Sequence, residues 1–546
     1  MPMTRPACQV LIDVLRDEGV TYVFGNPGST EMPLMDALVD APDVAYVLGL
    51  QEAAAVAMAD GWALASGKVG FVNLHAMGGL GNAMGALVAS KASETPLVVT
   101  AGQQDTRHLS TEPWLSGDLV ALASPAMKWA GEVRRGADVG KLMRRAFAIA
   151  RTPPCGPVFL SLPMNVLEEA VDEPAPPRSV AARLGPSPDV PALVEALSAY
   201  GPDDVVVVLG DDLAASTSEA LVAFAEAGGY AVWGTQLTSR VAFPSAHPCW
   251  AGVLKPDFVE MRARLAAVKA LVLVGGRAFI AYPYREVEPV PEGVKIFHVA
   301  EAAEAFGREH AADLALLGDI SSTLRETAAA LSLRIDSSAV ATRVAARAGA
   351  KTVHAATTRA EILAAAKGGL TADAAVLAAF DALPGDALVT NDSAATFGAV
   401  QELMATQPGR YFFSRGGVLG CNMPAAVGAS LVHRGPVVSL VGDGGAMYSP
   451  QALWSAAHLR ARVVFFVFNN RRYGVLQNVA RQLGCANALA GRFVGMETTD
   501  PAIDFLALAA AMGVPAERAD SRAAIAAAAA RAFARQGPSL IEIPVT

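Results

Sequence analysis

The stretch Val441–Asn470, VGDGGAMYSPQALWSAAHLRARVVFFVFNN, sets a Gly-Asp-Gly turn at the end of one apolar run and an Asn-Asn pair at the end of another. The runs PVVSLVG and ARVVFFVFN read as strands of a parallel sheet, because near-continuous β-branched and aromatic residues suit a strand covered on both faces. With a helical pattern between them they form one strand–helix–strand unit. Asp443 and Asn470 (470 − 443 = 27 residues apart) then fall at the carboxyl ends of neighbouring strands, where open α/β sheets collect ligands. A carboxylate, a carboxamide carbonyl and a nearby main-chain carbonyl are hard oxygen donors suited to Mg²⁺, which shares its shell with phosphate and water. Gly442, Gly444 and Gly445 let backbone approach a diphosphate and present N–H groups to it. A lone Gly-Asp-Gly is more often a plain strand-end turn. The second strand end at this spacing makes a metal–diphosphate site the better reading.

Outward from this unit the same alternation fills the chain. Strand-like runs followed by Ala- and Leu-rich helical patterns occur at TYVFGNPGST, VAYVLGLQEAAAVAMADGWALA, VGFVNLHAMGGLGNAMGALVAS, PLVVTAGQ and GPVFLSLP, then at VVVVLG and ALVLVGG, then at DALVTND and SLIEIPV. This predicts an α/β fold of three consecutive doubly wound parallel-sheet domains, over 1–170, 188–335 and 365–546. The proline-rich stretch Asp172–Pro191 reads as a linker. Segment 340–370 is Ala-rich and ambiguous, whereas AAIAAAAARAFARQ before the last strand reads as a helix.

Composition narrows the function. Hydrophobic residues are 53% and charged residues 17%, enough apolar material for large cores and subunit contacts. A net charge of −9 without a Lys/Arg cluster argues against nucleic acid as a partner. The five cysteines (Cys8, Cys155, Cys249, Cys421, Cys485) lack CxxC spacing, which suggests a reducing compartment and no zinc site. The N-terminal segment carries Asp13 and Arg16 inside its apolar stretch and reads as an amphipathic helix rather than a signal peptide. No apolar run reaches membrane-spanning length. The expectation is a cytoplasmic protein with no membrane partner.

Three further residues have the chemistry of a site. Glu52 follows a strand and opens an apolar helix, EAAAVAMADGWALA. It is either a helix-favouring first-turn acid or a buried carboxylate that keeps a proton available through desolvation. Ser29 and His75 both follow strands at Gly-rich turns, so both are expected at one sheet edge. A helix N-cap and a packed loop histidine are the competing readings.

The Gly-Asp-Gly to Asn-Asn pattern resembles the cofactor-binding motif of thiamine diphosphate-dependent enzymes. FGNPGST, VNLHAMGGLGNAMGAL, TAGQQDTRHL, GPVFLSLP, HPCW and YFFSRGGVLGCNMPAAVGAS further resemble the benzoylformate decarboxylase branch of that family. The resemblance spans nearly the whole chain and is strongest in its outer thirds. It implies thiamine diphosphate and Mg²⁺ as cofactors, with the first domain binding the aminopyrimidine and the third the diphosphate. Asp443, Asn470 and the main-chain carbonyl of Arg472 would be the metal ligands, and Glu52 the catalytic carboxylate protonating the aminopyrimidine. Ser29 would bind the substrate carboxylate and His75 would act as acid and base. Leu419 would be the apolar wedge bending the cofactor, and the carbonyl of Gly417 would meet its amino group. Asn26, Pro27, Gly442, Gly444, Gly445 and Tyr473 would line the cofactor. Trp114, Leu115, Tyr282, Phe413, Leu476 and Val479 would line the substrate pocket. A homodimer is the implied minimum, with a homotetramer common in the family.

The chain also departs from that branch. Tyr282 stands where a second active-site histidine is expected. A phenol hydrogen-bonds but does not readily exchange protons near neutral pH, which favours carboligation over release of aldehyde. Ala394 and Ala395 replace hydroxyl residues near the diphosphate, Arg471 and Arg472 flank the metal loop, and Val479 replaces an aromatic wall residue. VVVVLGDDLAAS lacks a GxGxxG pattern, so no FAD is expected. The resulting expectation is non-oxidative decarboxylation of an aromatic or branched 2-oxo acid to an aldehyde and CO₂. An acetolactate-synthase-like carboligase, a 2-hydroxyacyl or 2-hydroxyketone lyase, and a cofactor-binding protein without turnover are the alternatives.

Overall fold

The computed structural model describes residues 4–172, 174–178 and 184–546. Within the expected linker, Glu173 and Ser179–Arg183 lie outside the described residues. Three six-stranded parallel sheets are present, as the alternation predicts. They group into two compact units: Met1–Ala181, Ala382–Ala395 and Ser414–Thr546 form one, and Ala182–Asp381 with Thr396–Phe413 the other.

In the first unit the N-terminal sheet runs Ala45–Leu48, Tyr22–Gly25, Gly70–Leu74, Leu97–Gln103, Val158–Pro163, Trp129–Glu132. The C-terminal sheet contributes Leu388–Asp392, Val437–Gly442, Val463–Asn469, Ser539–Pro544 and Ala516–Arg518, in that spatial order. Without the edge strand Ala45–Leu48, the N-terminal sheet has the same order as these five strands. The central strands are mainly apolar because helices cover both faces. Phe465 and Phe466 are fully buried, and burial of such a side chain contributes about 1.5–3 kcal/mol. The amphipathic helix Ala7–Asp17 turns its apolar side to the N-terminal core, and Arg522–Ala534 is the helix expected before the last strand.

Helices Glu52–Ser66 and Asn422–Ser430 join the two sheets of this unit at backbone contact. A Cβ on Gly61 would lie 2.0 Å from the Ala425 carbonyl oxygen, and one on Gly428 would lie 1.8 Å from that of Met58. Only glycine permits this approach.

The second unit holds the central sheet, ordered Trp250–Leu254, Ala231–Thr235, Val205–Leu209, Ala270–Val274, Lys295–Ala300, Leu314–Leu317. This is the doubly wound order whose direction reverses between Val205–Leu209 and Ala270–Val274. At that reversal the Gly276 N–H already donates to Asp212 Oδ1 at 2.7 Å. The ambiguous Ala-rich segment is a helix, Ser337–Ala365, with Val340 its one buried residue.

Candidate active site

The C-terminal sheet sets two of the expected ligands side by side. Val437–Gly442 pairs in parallel with Val463–Asn469, Gly442 opposite Phe468. Asp443 opens the short helix Asp443–Ala446 at the end of the first strand, and Asn470 follows directly on the second. Asp443 is 4% exposed. Burial pushes its carboxyl up, and the Gly444 N–H and the Thr498 hydroxyl, 3.3 Å from Oδ2, partly offset this. Asn470 Oδ1 accepts the Arg472 N–H at 3.1 Å, and the Arg472 carbonyl accepts the Gly474 N–H at 2.9 Å. Each of these oxygens keeps a second lone pair.

This turn is held from outside. Tyr473 N–H donates to Met496 O at 2.9 Å, Thr498 N–H donates to Arg471 O at 3.0 Å, and Arg472 bridges Glu497. Arg471 has φ 56°, in the left-handed region that non-glycine residues seldom occupy. Such residues persist where surrounding bonds over-determine them, often at functional turns. The Tyr473 ring covers Gly444, where a Cβ would stand 2.5 Å from Cε1, while Gly442 faces open space. An all-oxygen donor set beside glycine backbone fits Mg²⁺ bound with a diphosphate. No group of three His, Cys, Asp or Glu suited to a metal occurs among the described residues.

The N-terminal sheet assembles the proton-handling groups. Asn26, Pro27 and Ser29 follow the strand Tyr22–Gly25, and His75 follows the adjacent strand Gly70–Leu74, Gly25 lying opposite Asn73. Ser29 is exposed; it starts a 3₁₀ turn over Ser29–Glu31 and does not cap it. Glu31, not among the expected site residues, organises this edge. It is 1% exposed, and its Oε2 lies 2.8 Å from His75 Nδ1. The same carboxylate accepts the Gly28 N–H at 2.9 Å, the Gly102 N–H at 2.9 Å and the Thr30 hydroxyl at 2.7 Å. This network assigns the Nδ1–H tautomer and directs Nε2 away from Glu31. Gly28 makes room for the ring, since a Cβ there would lie 2.2 Å from its Cγ.

Glu52 is the first residue of its helix, whose N-cap is Gln51, and it is 9% exposed. Asn82 Nδ2 donates to Glu52 Oε2 at 3.1 Å. A Cβ on Gly79 would lie 3.3 Å from Glu52 Oε1 and 3.4 Å from the His75 Cβ. The two side chains therefore flank one turn of helix Ala76–Ala92. The Trp114–Leu115 loop is tied nearby. Gln103 Nε2 donates to Gly117 O at 2.8 Å, and Gly117 packs on Met77. Trp114 itself is 86% exposed.

The segment carrying Gly417 and Leu419 runs along that same helix. Arg415 Nη1 donates to Ala92 O at 2.7 Å, and Val418 faces Gly85. Gly417 has φ 67°, and Leu419 is half-buried. Leu476 and Val479 lie on helix Gly474–Gln482, directly after the Asn470–Arg472 turn. Tyr282 and Phe413 belong to the second unit. There Tyr282 is exposed and Phe413 packs on Phe397, ring centroids 4.6 Å apart.

The chain matches family models described as the N-terminal binding domain of thiamine pyrophosphate enzymes over residues 6–122, their central domain over 192–327 and their C-terminal binding domain over 394–543. It is 36% identical to a benzoylformate decarboxylase of Pseudomonas aeruginosa, over 97% of both chains. It is 30% identical to an acetolactate synthase-like large subunit of Mycobacterium tuberculosis, over 98% of both. A solved thiamine diphosphate-dependent 4-hydroxybenzoylformate decarboxylase of Rhodococcus jostii superposes with a TM-score of 0.86 at 31% identity, over 99% of both chains.

Proposed function

Because the chain belongs to the thiamine pyrophosphate enzyme family and so uses thiamine diphosphate, we propose that it decarboxylates an aromatic or branched 2-oxo acid, non-oxidatively, to an aldehyde and CO₂. Mg²⁺, the family's usual partner metal, would be held by Asp443, Asn470 Oδ1 and the Arg472 carbonyl. The diphosphate would lie along Gly442, Gly444, Gly445 and Tyr473. Residues 1–170 would take the pyrimidine, 188–335 would form the central domain and 365–546 would hold the diphosphate. When bound, the cofactor supplies the carbanion that adds to the ketone and the electron sink that lets CO₂ leave.

The observation that carries this reading is the pairing of buried Glu31 with half-buried His75, beside Glu52 at one sheet edge. Glu52 holds a proton towards the pyrimidine. The Ser29 hydroxyl, exposed at the mouth of the same edge, orients the substrate carboxylate. His75, anchored through Nδ1, moves a proton at Nε2 to and from the reacting carbon and oxygen. Asn26 and Pro27 shape the turn between Ser29 and the strand. Trp114, Leu115, Leu476 and Val479 would exclude water from the substrate.

The exposed apolar side chains Leu476, Leu483, Leu489 and Val494 support a homodimer at minimum, and a homotetramer fits the family. No helix among the described residues is long and apolar enough to cross a membrane. Carboligation is the second reading, favoured by Tyr282 in place of a histidine.

The test is CO₂ release from a panel of aromatic and aliphatic 2-oxo acids with thiamine diphosphate and Mg²⁺, in wild type and Glu52→Gln. Release that the substitution largely abolishes supports the reading. No release from any acid with cofactor bound points to a ligase or lyase acting on other carbonyl compounds.

A further inference from the structure

We propose that Asp392 is a positioning residue whose buried carboxylate sets the arch Gly417–Leu419 against the cofactor. The inference rests on the reading of Gly417 and Leu419 as cofactor contacts. Asp392 is the last residue of strand Leu388–Asp392, paired beside the metal-bearing strand with Asp392 opposite Val441. It is 6% exposed, and its Oδ2 accepts the Gly420 N–H at 2.7 Å. The groups bonded to it are those of Gly420 and Asn422, with no lysine or arginine among them. A carboxylate buried without a counter-cation is costly unless its hydrogen bonds serve a structure that needs them.

What those bonds hold is one foot of the arch. Gly420 is fixed on three sides. Its N–H is taken by Asp392, its carbonyl accepts the Ser449 hydroxyl at 2.6 Å, and its Cα lies against Tyr448, where a Cβ would come within 2.4 Å of another Cβ. Its φ of 88° also requires glycine. The other foot is Arg415–Gly416 on helix Ala76–Ala92, where a Cβ on Gly416 would lie 2.8 Å from Ala89 Cα. Between the feet, Gly417 has no atom within 4 Å of its Cβ position. The arch is therefore held at both ends, with Val418 against Gly85 between them and only the Gly417 α-carbon uncovered, and the Asp392 bond fixes the end next to Leu419.

The test compares Asp392→Leu, which keeps the bulk and loses the acceptor, with Asp392→Asn, which keeps an acceptor oxygen. Leu419→Ala runs alongside. Turnover per bound cofactor, KM for the 2-oxo acid and the near-ultraviolet circular dichroism of bound thiamine diphosphate are read for each holoenzyme. Asp392→Leu is expected to lose kcat by about 10- to 100-fold with KM little changed and the dichroic signal altered. Asp392→Asn is expected to fall between wild type and the leucine variant, since it keeps one acceptor oxygen for the Gly420 N–H but turns an amide donor towards Asn422. Wild-type turnover per bound cofactor in Asp392→Leu overturns the proposal, as does an Asp392→Asn enzyme as impaired as the leucine variant. An unimpaired Leu419→Ala enzyme overturns the cofactor role of the arch, and the proposal with it. An impaired Leu419→Ala beside an unimpaired Asp392→Leu overturns the proposal alone. If the leucine variant does not fold, Asp392→Ser, too short to reach the Gly420 N–H, gives the same readings.

Discussion

His75 Nδ1 lies 2.8 Å from Oε2 of the buried Glu31, a residue 44 positions earlier in the chain. The same carboxylate accepts main-chain N–H groups from two separate turns, at Gly28 and Gly102. The imidazole is thus referenced to backbone rather than to another mobile side chain.

Glu31→Gln is expected to lower kcat by about tenfold or more, because the amide cannot accept from the ring and both N–H groups as the carboxylate does. Thiamine diphosphate affinity should be unchanged. Gly28→Ala should cause a similar loss by displacing the ring. Steady-state kinetics with a cofactor titration checks both; wild-type kcat in Glu31→Gln would sink the assignment.

Chelation of divalent metal is expected to abolish turnover, and added Mg²⁺ to restore it. Thr498 donates to Asp443, the carboxylate proposed to hold the metal. Thr498→Val should therefore raise the Mg²⁺ concentration needed for half-activity by about 10- to 100-fold, as loss of a ligand's supporting hydrogen bond does. A metal titration of the apoenzyme measures this. An unchanged Mg²⁺ requirement would remove Asp443 from the metal shell.

Burial pushes the Asp392 carboxyl up to about 6 from an ordinary value of 3.8. The folded state therefore holds this proton more tightly than the unfolded chain. The associated stability is fully present below about pH 4 and is lost as pH rises through about 6, a change of about 3 kcal/mol for this group. Asp392→Asn, always neutral, should melt higher than wild type at pH 8, with the difference shrinking towards pH 5. Thermal melts of both proteins across that range decide it; a constant difference would contradict the assignment.

Tyr282→His is expected to shift product from ligated hydroxyketone towards free aldehyde, since imidazole exchanges protons near neutral pH and a phenol does not. The substituted side chain is exposed at 68% and so has room to change. Product ratios by chromatography, with an aldehyde acceptor present, test it. An unchanged ratio would mean that Tyr282 does not control the branch point.

Asp443 and Asn470 were legible because parallel strands buried on both faces announce themselves as apolar runs, and the residue after each run inherits a place at the sheet edge. Glu31 was not. In STEMPL it looks like an acid at a helix start, and its three long-range or turn-borne partners leave no local trace. Asp392 was masked in the same way: beside Ala394 and Ala395, which draw the eye as lost hydroxyls, its partner Gly420 is 28 residues away. Helix Ser337–Ala365 gave no clear period because it buries a single residue, Val340. The joining of the N- and C-terminal sheets in one unit depends on Gly61 and Gly428, and a glycine in an Ala-rich helix does not reveal what it touches.

That glycine contact also constrains how relatives can recombine. At Gly61 the backbone of one helix is the surface against which the other was shaped, and no side-chain adjustment can absorb a misfit there. A chimera that takes residues 52–66 from one parent and 422–430 from another inherits two halves of a joint cut to different gauges. Functional exchange between family members should therefore move these two segments together, however far apart they stand in the gene.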